Sequence, residues 1–397
     1  MTSIALGDII EIRKGKKPSS VHEHPLDRTK PCILIDQVRG AAPSSFTSDD
    51  KGVEAHPEDL CMVWDGANAG TVGFGVSGYL GSTVARLRIK NRDDWDPEFI
   101  GRLLQGKFAD LNDAAKGKGA TIPHVDKRHL EHLLIPHYPI EQQKRIAAIL
   151  AQADQLRRKR QHALESLIQL GQAIFIKMFV EGQSDEWPTL LLEQLVDERS
   201  GGIRTGPFGS QLLHSEFVDD GVAVLGIDNA VSNQFQWGQR RHITLDKYKD
   251  LKRYSVYPGD VIITIMGTCG RCAIVPPEIP LAINTKHLCC ISLQRDACVP
   301  EYLHSYFLTH PAALEYLRSK SKGAIMDGLN MGIIKAMPVK LPPFRLQQQF
   351  VKNLKLIEGQ RGATSEAAAL SDQLFTSLQH RAYRGELMAS SLKEAAA

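Results

Sequence analysis

The chain has 397 residues, 43% hydrophobic and 23% charged, which is too much apolar material for one ordinary core and enough for two. Its formal net charge is only +3, which excludes a globally basic nucleic-acid coat, so such a role has to come from local patches. The first residues, Met1-Thr-Ser-Ile-Ala-Leu-Gly-Asp, lack a basic stretch followed by an apolar run, and no apolar run approaches the roughly 20 residues of a membrane span. Seven cysteines without framework spacing fit a reducing compartment. A cytoplasmic protein with no membrane role is expected.

In chain order, short β-type runs come first: Cys32-Ile-Leu-Ile, Leu60-Cys-Met-Val-Trp and Val84-Ala-Arg-Leu-Arg-Ile. A helix entered through proline is predicted over Pro97 to Leu111. Leu133-Leu-Ile-Pro then reads as a strand, and Glu141 to about Phe179 as one long helix with an apolar stripe through Ile146, Ile149, Leu150, Ala153 and Leu156. The same succession returns. Val222-Ala-Val-Leu-Gly-Ile, Val261-Ile-Ile-Thr-Ile, Cys272-Ala-Ile-Val and Leu288-Cys-Cys-Ile-Ser-Leu are strands, Pro300 to Ser319 a helix, and Val339-Lys-Leu-Pro a strand. A second long helix carries Phe350, Leu354, Ile357, Leu370, Leu374 and Leu378.

The two series are copies of one unit. Gly119-Ala-Thr-Ile matches Gly323-Ala-Ile-Met at an offset of 204 residues, and Glu141-Gln-Gln-Lys matches Gln347-Gln-Gln-Phe at 206. Ala69-Gly-Thr-Val-Gly matches Met266-Gly-Thr-Cys-Gly, and Leu6-Gly-Asp-Ile-Ile matches Leu192-Glu-Gln-Leu-Val, in the same order. The expected organisation is a domain at 1–138, a long helix at 139–182, a second domain at 183–344, a second long helix at 345–388 and a flexible tail at 389–397. Two apolar stripes of that length seek each other, so the helices are expected to pair antiparallel and to hold the domains at opposite ends of a rod of about 60 Å. Such a body suits a duplex read at two places about one turn, roughly 34–36 Å, apart.

The block Pro139-Ile-Glu-Gln-Gln-Lys-Arg-Ile-Ala-Ala-Ile-Leu, continuing to Asp154-Gln-Leu-Arg-Arg-Lys-Arg, resembles the central helix of type I restriction–modification specificity subunits. Ile203-Arg-Thr-Gly-Pro-Phe-Gly-Ser, Val63-Trp-Asp-Gly-Ala-Asn-Ala-Gly, Ile283-Asn-Thr-Lys-His-Leu and Leu341-Pro-Pro-Phe are similar to further segments of that family and arrive in its order. The resemblance covers nearly the whole chain. It implies an α+β protein: two α/β target recognition domains joined by a pair of long antiparallel helices, with a pseudo-twofold internal repeat. It implies a non-catalytic subunit in which each domain reads one half of a bipartite double-stranded DNA target. The helices would set the spacer and dock two methyltransferase subunits, with restriction/translocase subunits completing the complex. The competing reading is a stand-alone sequence-specific DNA-binding or scaffold protein. Gln347-Gln-Gln-Phe departs from the family in lacking the Lys-Arg that follows the glutamine pair in the first copy.

Phosphate contact is assigned to Arg13, Lys14, Lys16 and Lys17 after the first strand, to Arg204 and Ser210 at the matching place, and to the paired basic loops Lys116-Gly-Lys118 and Lys320-Ser-Lys322. Base reading needs two-pronged hydrogen bonding, and Arg39, Asn68, Asn229, Asn284 and Lys286 lie in or beside turns where they could supply it. Arg157-Arg158-Lys159-Arg160 spans more than one helical turn and cannot all face one groove. Arg157 and Arg158, with Gln142, Lys144, Arg145 and, in the second helix, Gln348, are therefore assigned to partner contact.

No catalytic residue is expected. Leu341-Pro-Pro-Phe resembles the catalytic loop of amino-methyltransferases but has leucine where a polar oxygen must hold the amine. Gly70-Thr-Val-Gly-Phe-Gly is not followed by the helix a cofactor loop needs, and no phosphate-binding GxxxxGK[ST] loop is present. S-adenosylmethionine, ATP and Mg are expected on partner subunits and no cofactor on this chain. Cys269-Gly-Arg-Cys272 with His287, Cys289 and Cys290 has the residue types of a zinc site, but adjacent strand cysteines point to opposite faces and the first copy lacks them, so no metal is expected.

Overall fold

The computed structural model describes residues 2–116, 122–321 and 328–387. It divides into two compact units, Met1–His162 with Thr364–Ala397, and Ala163–Ala363. Each unit therefore holds one domain and half of each long helix, and the helices are parts of both units rather than a body of their own.

Among the described residues the first unit has ten strands: β1 (Ser3–Ala5), β2 (Ile10–Lys14), β3 (Lys30–Ile33), β4 (Phe46–Thr47), β5 (Glu54–Ala55), β6 (Leu60–Val63), β7 (Val72–Phe74), β8 (Gly78–Leu80), β9 (Val84–Ile89) and β10 (Leu134–Pro136). They form sheets of order β2-β9-β6-β7 and β4-β3-β8-β5 and the pair β1-β10. The second unit has β11 (Thr189–Leu191), β12 (Ile203–Thr205), β13 (Val222–Leu225), β14 (His242–Ile243), β15 (Ser255–Val256), β16 (Val261–Thr264), β17 (Cys272–Ile274), β18 (Ala282–Asn284), β19 (Leu288–Ile291) and β20 (Pro338–Lys340). Their orders are β12-β19-β16-β17, β14-β13-β18-β15 and β11-β20. Every strand has its counterpart ten places later, down to the single parallel pairing, β3 with β8 and β13 with β18.

The middle sheet of each unit is covered on both faces, which explains its unbroken apolar runs. In β6, Leu60 and Met62 join the core built with Phe99, Ile100, Leu103 and Leu104 of the helix Pro97–Gly106. Cys61 and Val63 point the other way, to Ile33, Ala55 and Leu80. The helix starts where its cap lies: Asp96 accepts a 2.8 Å hydrogen bond from the Phe99 amide, and Pro97 follows. The predicted single helix over 97–111 is two, Pro97–Gly106 and Phe108–Lys116, and its counterpart is also two, Pro300–Thr309 and Pro311–Ser321. Pro311 removes an amide and breaks the latter.

The long helices span Ile140–Ile176, closing in a π-helical turn at Lys177–Glu181, and Phe344–Arg384. Within the first unit their halves run antiparallel: the Tyr138 hydroxyl donates to the Ala382 carbonyl at 3.2 Å, and Arg160 Nη1 donates to the Ala367 carbonyl at 2.6 Å. Within the second unit, Phe175 and Phe179 pack edge-on against Phe350 with centroids 5.6 and 5.3 Å apart. The expectation that no segment suits a membrane span is corrected: by length and composition alone, the stretch Ile140–Glu181 is long and apolar enough.

Each long helix is pinned at its start by a buried glutamine. Gln143 Oε1 accepts from the Asp96 amide at 3.0 Å, and its Nε2 donates to the carbonyls of Asp94 and Tyr138. Gln347 Oε1 accepts from the Val299 amide at 3.0 Å, and its Nε2 donates to Ala297 and Pro342. The glutamines are 204 residues apart, so Gln347 is the counterpart of Gln143, and the repeat keeps its 204-residue offset here without drifting to 206.

Candidate nucleic-acid interface

In the first unit, the chain leaves β2 through Arg13-Lys14-Gly15-Lys16-Lys17. Gly15 crosses the end of β8 so closely that a Cβ would overlap the carbonyl oxygens of Leu80 and Gly81. Gly206 crosses Asn284 and Thr285 in the same way, which makes the two loops structural counterparts. Lys16 and Lys17 are exposed, Arg13 is exposed and pairs with Glu11 at 2.7 Å, and Lys14 reaches Asp65 at 2.7 Å. Asp65 opens the turn Asp65-Gly66-Ala67-Asn68, whose Asn68 accepts a hydrogen bond from Arg39. The helix Phe108–Lys116 is tied to the same turn, because Asn112 Nδ2 donates to the carbonyls of Ala67 and Ala69 at 3.0 and 2.9 Å. The strand ladder and Asn112 thus gather Lys14, Arg39 and Asn68 around one turn, with exposed Lys116 ending the helix tied to it. Lys118 lies outside the described residues.

The second unit uses its predicted residues differently. Arg204, the counterpart of Arg13, is buried: Nε and Nη2 donate to the Ser255 carbonyl at 2.9 and 2.6 Å, Nη2 to Asp260 at 2.7 Å and Nη1 to Ser292 at 2.9 Å. The cause is the neighbouring strand. Arg13 faces Arg86 across β2 and β9, whereas Arg204 faces Cys290 across β12 and β19. Arg86 occupies the interior in the first unit, donating to the Glu54 carbonyl at 2.8 Å, and keeps Arg13 outside. Cys290 is short and leaves that space to Arg204. Asn229 and Asn284 are also interior: Asn229 accepts from the Gly226 amide at 2.8 Å, and Asn284 Nδ2 donates to the Leu288 carbonyl at 3.0 Å. With their hydrogen bonds turned inward, Arg204, Asn229 and Asn284 shape the loops instead of facing a ligand.

Ser210 is exposed in the short turn Gly209–Gln211, Lys286 is half-buried, and exposed Lys320 lies over the Tyr316 ring. Lys322 falls outside the described residues. Burial first, and then the positive charges of Lys286 and Arg241, hold the His287 imidazole below its ordinary value, so this turn carries a local positive field. The central-turn match shifts by three residues: Gly270, not Gly267, holds the place of Gly70, each donating its amide to the last residue of the preceding strand or its neighbour at 2.9 Å.

Sequence reasoning missed the segment after Asn229. Trp237 is exposed, Phe235 meets it edge-on at 5.3 Å, the Arg240 guanidinium lies over its ring at 5.3 Å, and Arg241 pairs with Asp228. The aromatic-basic interleaving of Phe235-Gln-Trp-Gly-Gln-Arg-Arg was the available signal. On the partner face, Gln142 is half-buried, Lys144, Arg145 and Gln348 are exposed, and Lys144 pairs with Glu141. Arg157 and Arg158 both turn back to buried Asp154, at 2.8 and 3.0 Å. Cys289 and Cys290 lie in different cores, and burial pushes the Cys289 thiol up to about 12. Among the described residues no group of three or more histidines, cysteines and carboxylates could hold a metal.

Two domains of identical strand order, each with a polar central turn, are a fold shared with solved structures. An S subunit of a type I restriction-modification system from M. genitalium superposes with a TM-score of 0.57 at 14% identity, covering 96% of each chain. A second structure, from work on complex assembly and conformational transition of the type I R-M system, gives 0.57 at 18% identity over 97% of this chain and 98% of that one. By sequence, the type I restriction enzyme MjaVIII specificity subunit of Methanocaldococcus jannaschii is 28% identical over 66% of this chain and 63% of its own length. The EcoBI specificity subunit of Escherichia coli is 24% identical over 90% of this chain and 80% of its own. The chain thus matches less than two thirds of the first relative and four fifths of the second. The profile of the type I restriction modification DNA specificity domain matches residues 1–166 and again 220–362. The chain belongs to that family.

Proposed function

We propose that this chain is the DNA sequence-specificity subunit of a type I restriction-modification enzyme, each domain reading one half of a bipartite duplex target. The observation that carries this reading is the duplicated domain, whose first copy gathers Lys14, Arg39 and Asn68 at one turn and whose second presents Trp237, Arg240 and Lys286 on its loops. Cationic side chains give register and affinity on phosphate, while Arg39 and Asn68, bonded to each other at the turn, are of the residue types that pair with base edges once they part. The chain itself contributes no catalytic group. Methyl transfer with S-adenosylmethionine, and cleavage or translocation with ATP and Mg, belong to methyltransferase and restriction subunits in the cytoplasm.

The long helices support a docking role over that of a stand-alone DNA-binding protein. Leu156, Ile168, Leu170, Leu356, Leu370 and Leu374 are large aliphatic side chains left between 43% and 72% exposed, an arrangement that needs a cover. Exchanging residues 1–138 for the first domain of another family member should change one half of the methylated sequence and keep the other. Methylome sequencing reads the outcome, and a change in both halves would sink the modular reading. Tight S-adenosylmethionine binding by the isolated chain would instead make it a methyltransferase.

A further inference from the structure

The loop that leaves β12 carries a chain of side-chain hydrogen bonds that ends at the surface. Gln211 stands five residues beyond Gly206 and is exposed in the short turn Gly209–Gln211. Its Oε1 accepts twice, from the Phe208 amide at 3.2 Å and from the Tyr254 hydroxyl at 2.8 Å. Arg253 Nη2 donates to the same hydroxyl at 2.6 Å, and its guanidinium lies over the Tyr254 ring at 4.7 Å. A phenol has one proton, and with Arg253 donating from one side that proton goes to Gln211. A backbone N–H can meet only an oxygen, so the Phe208 amide settles which end of the Gln211 amide faces inward. Both acceptor positions of Oε1 are thereby filled. Among the described residues nothing accepts from Nε2, so Gln211 presents two N–H donors and no acceptor.

Sheet topology places this donor among the second unit's cations. In the sheet β14-β13-β18-β15, β13 and β18 are parallel and β14 and β15 antiparallel to them. The exits of β13 and β18 and the entries of β14 and β15 therefore share one end. Lys286 follows β18 there, Arg241 precedes β14, and Arg253 and Tyr254 precede β15. Asp228, at the exit of β13, offsets Arg241. Gly206 crosses this same end at Asn284 and Thr285 and brings the turn with Gln211 to it.

We infer that Gln211 reads a guanine in the major groove, with Tyr254 as the residue that positions it. The inference rests on the DNA-specificity reading and names the base edge. Glutamine ordinarily pairs with adenine, donating to N7 and accepting from N6, but here its oxygen is occupied. Guanine offers two adjacent acceptors, N7 and O6, whereas thymine offers one beside a methyl group. Adenine and cytosine each present an amine donor that Nε2 would oppose. A phosphate oxygen would accept from Nε2 too, but it would accept equally from an amide free to turn over. Fixing the donor direction matters only where donors and acceptors differ from base to base. The first unit has another arrangement: Ser20 stands five residues beyond Gly15, and Val53 precedes β5 where Tyr254 precedes β15. Ser20 shares its hydroxyl with Ser48 at 3.1 Å, so the effect belongs to one half of the target.

The test selects duplexes of random sequence with the full chain and sequences the bound fraction. The wild type should enrich two half-sites, one holding a position where guanine exceeds each other base by about tenfold. Q211A should erase the preference at that position and keep the others. Q211E retains an oxygen for Phe208 and Tyr254 and turns a second one outward, so the position should switch to cytosine, whose amine donates. Y254F frees one acceptor position of Oε1, and adenine should rise there to within about threefold of guanine. A purely structural role for Tyr254 would lower enrichment without admitting a new base. The half-site read by the first unit should stay unchanged in all three variants, which reports that each is folded. Equal loss of all sequences with Q211A would make Gln211 a phosphate contact and overturn the inference, as would a Q211E that keeps guanine. Two half-sites that Q211A leaves wholly unaltered would overturn it and leave the specificity reading standing. A wild type that enriches no sequence would sink both.

Discussion

The two units solve one problem in two ways, and the difference lies under the middle sheet. Each has a buried aspartate in the tight turn before its central strand: Asp59 accepts from the His56 amide at 2.9 Å, and Asp260 from the Tyr257 amide at 2.9 Å. In the first unit the carboxylate is held by Arg88 on β9, through two bonds of 2.7 Å. In the second it is held by Arg204 on β12 at 2.7 Å. Register places Arg88 at the counterpart of Ser292 and Arg13 at that of Arg204. The carboxylate position is kept and its partner has moved to an adjoining strand, so a duplicated fold fixes where a charge must be neutralised and leaves open which strand does it.

The largest effect should separate these two sites. D260A leaves Arg204 buried without its carboxylate and should cost about 3–5 kcal/mol of unfolding free energy in urea titrations. D59A should cost about 1–3 kcal/mol, because the Arg88 side chain is 34% exposed and can turn to water. Equal losses would show that exposure of the partner does not decide the cost. Asp59 also carries a pH signature. Burial acts to raise its pKa, but Arg88 and the His56 amide outweigh that and hold the carboxyl below its ordinary value. A lowered folded-state pKa stabilises above the unfolded value near 3.9 and is lost as pH falls through the folded value. Wild-type stability should therefore fall in that acid range, and D59N should lack this part of the fall.

Where the copies agree, mutations should agree. Q143A and Q347A each leave one buried amide and two carbonyls unpaired at matching places, and each should lose about 2–3 kcal/mol. A difference above about 1 kcal/mol between them would mean that the helix starts are not equivalent. Where the copies differ, DNA reading should split. R39A with N68A should weaken methylation at targets altered in one half-site preference, and W237A with R240A at the other, each by about tenfold in duplex affinity. Loss of discrimination at the same half by both pairs would end the one-domain, one-half assignment.

The repeat, many of the strands and the long helices were legible because each rests on local pattern: strand-length apolar runs, proline-led helices and the glutamine-rich helix start. The site was legible only in part. Lys14 ends β2 and Arg39 and Asn68 lie in turns, and the structure brings the three together. Arg204 looks the same in sequence as Arg13, and its fate depends on whether residue 86 or 290 across the ladder is arginine or cysteine. That is a nonlocal choice which no window along the chain contains. Asn229 and Asn284 are buried for a related reason, since a turn asparagine serves its own backbone as readily as a ligand. The segment at Phe235–Arg241 escaped because its counterpart in the first copy, within 40–45, is shorter and holds no aromatic or basic residue.

The smallest effect concerns His287 and tests whether the second unit's positive field faces DNA. Without ligand, burial together with Lys286 and Arg241 holds the imidazole below its ordinary value near 6.5, so it is neutral at physiological pH. Phosphates drawn to that field would cancel the two cationic contributions and raise the pKa in the complex. A group whose pKa rises on binding takes up a proton with the ligand, so affinity must increase as pH falls through the interval between the free and bound values. Duplex affinity of the wild type should then grow by about threefold beyond the general electrostatic trend as pH falls from about 7 to about 5.5, and H287Q should show the trend alone. The first unit has no histidine described at the matching turn position, where Thr83 precedes Val84 as His287 precedes Leu288, so exchanging its basic residues should leave this component untouched. If H287Q keeps the full pH dependence, the turn at Lys286 points away from the duplex and reading in the second unit falls to Trp237 and Arg240.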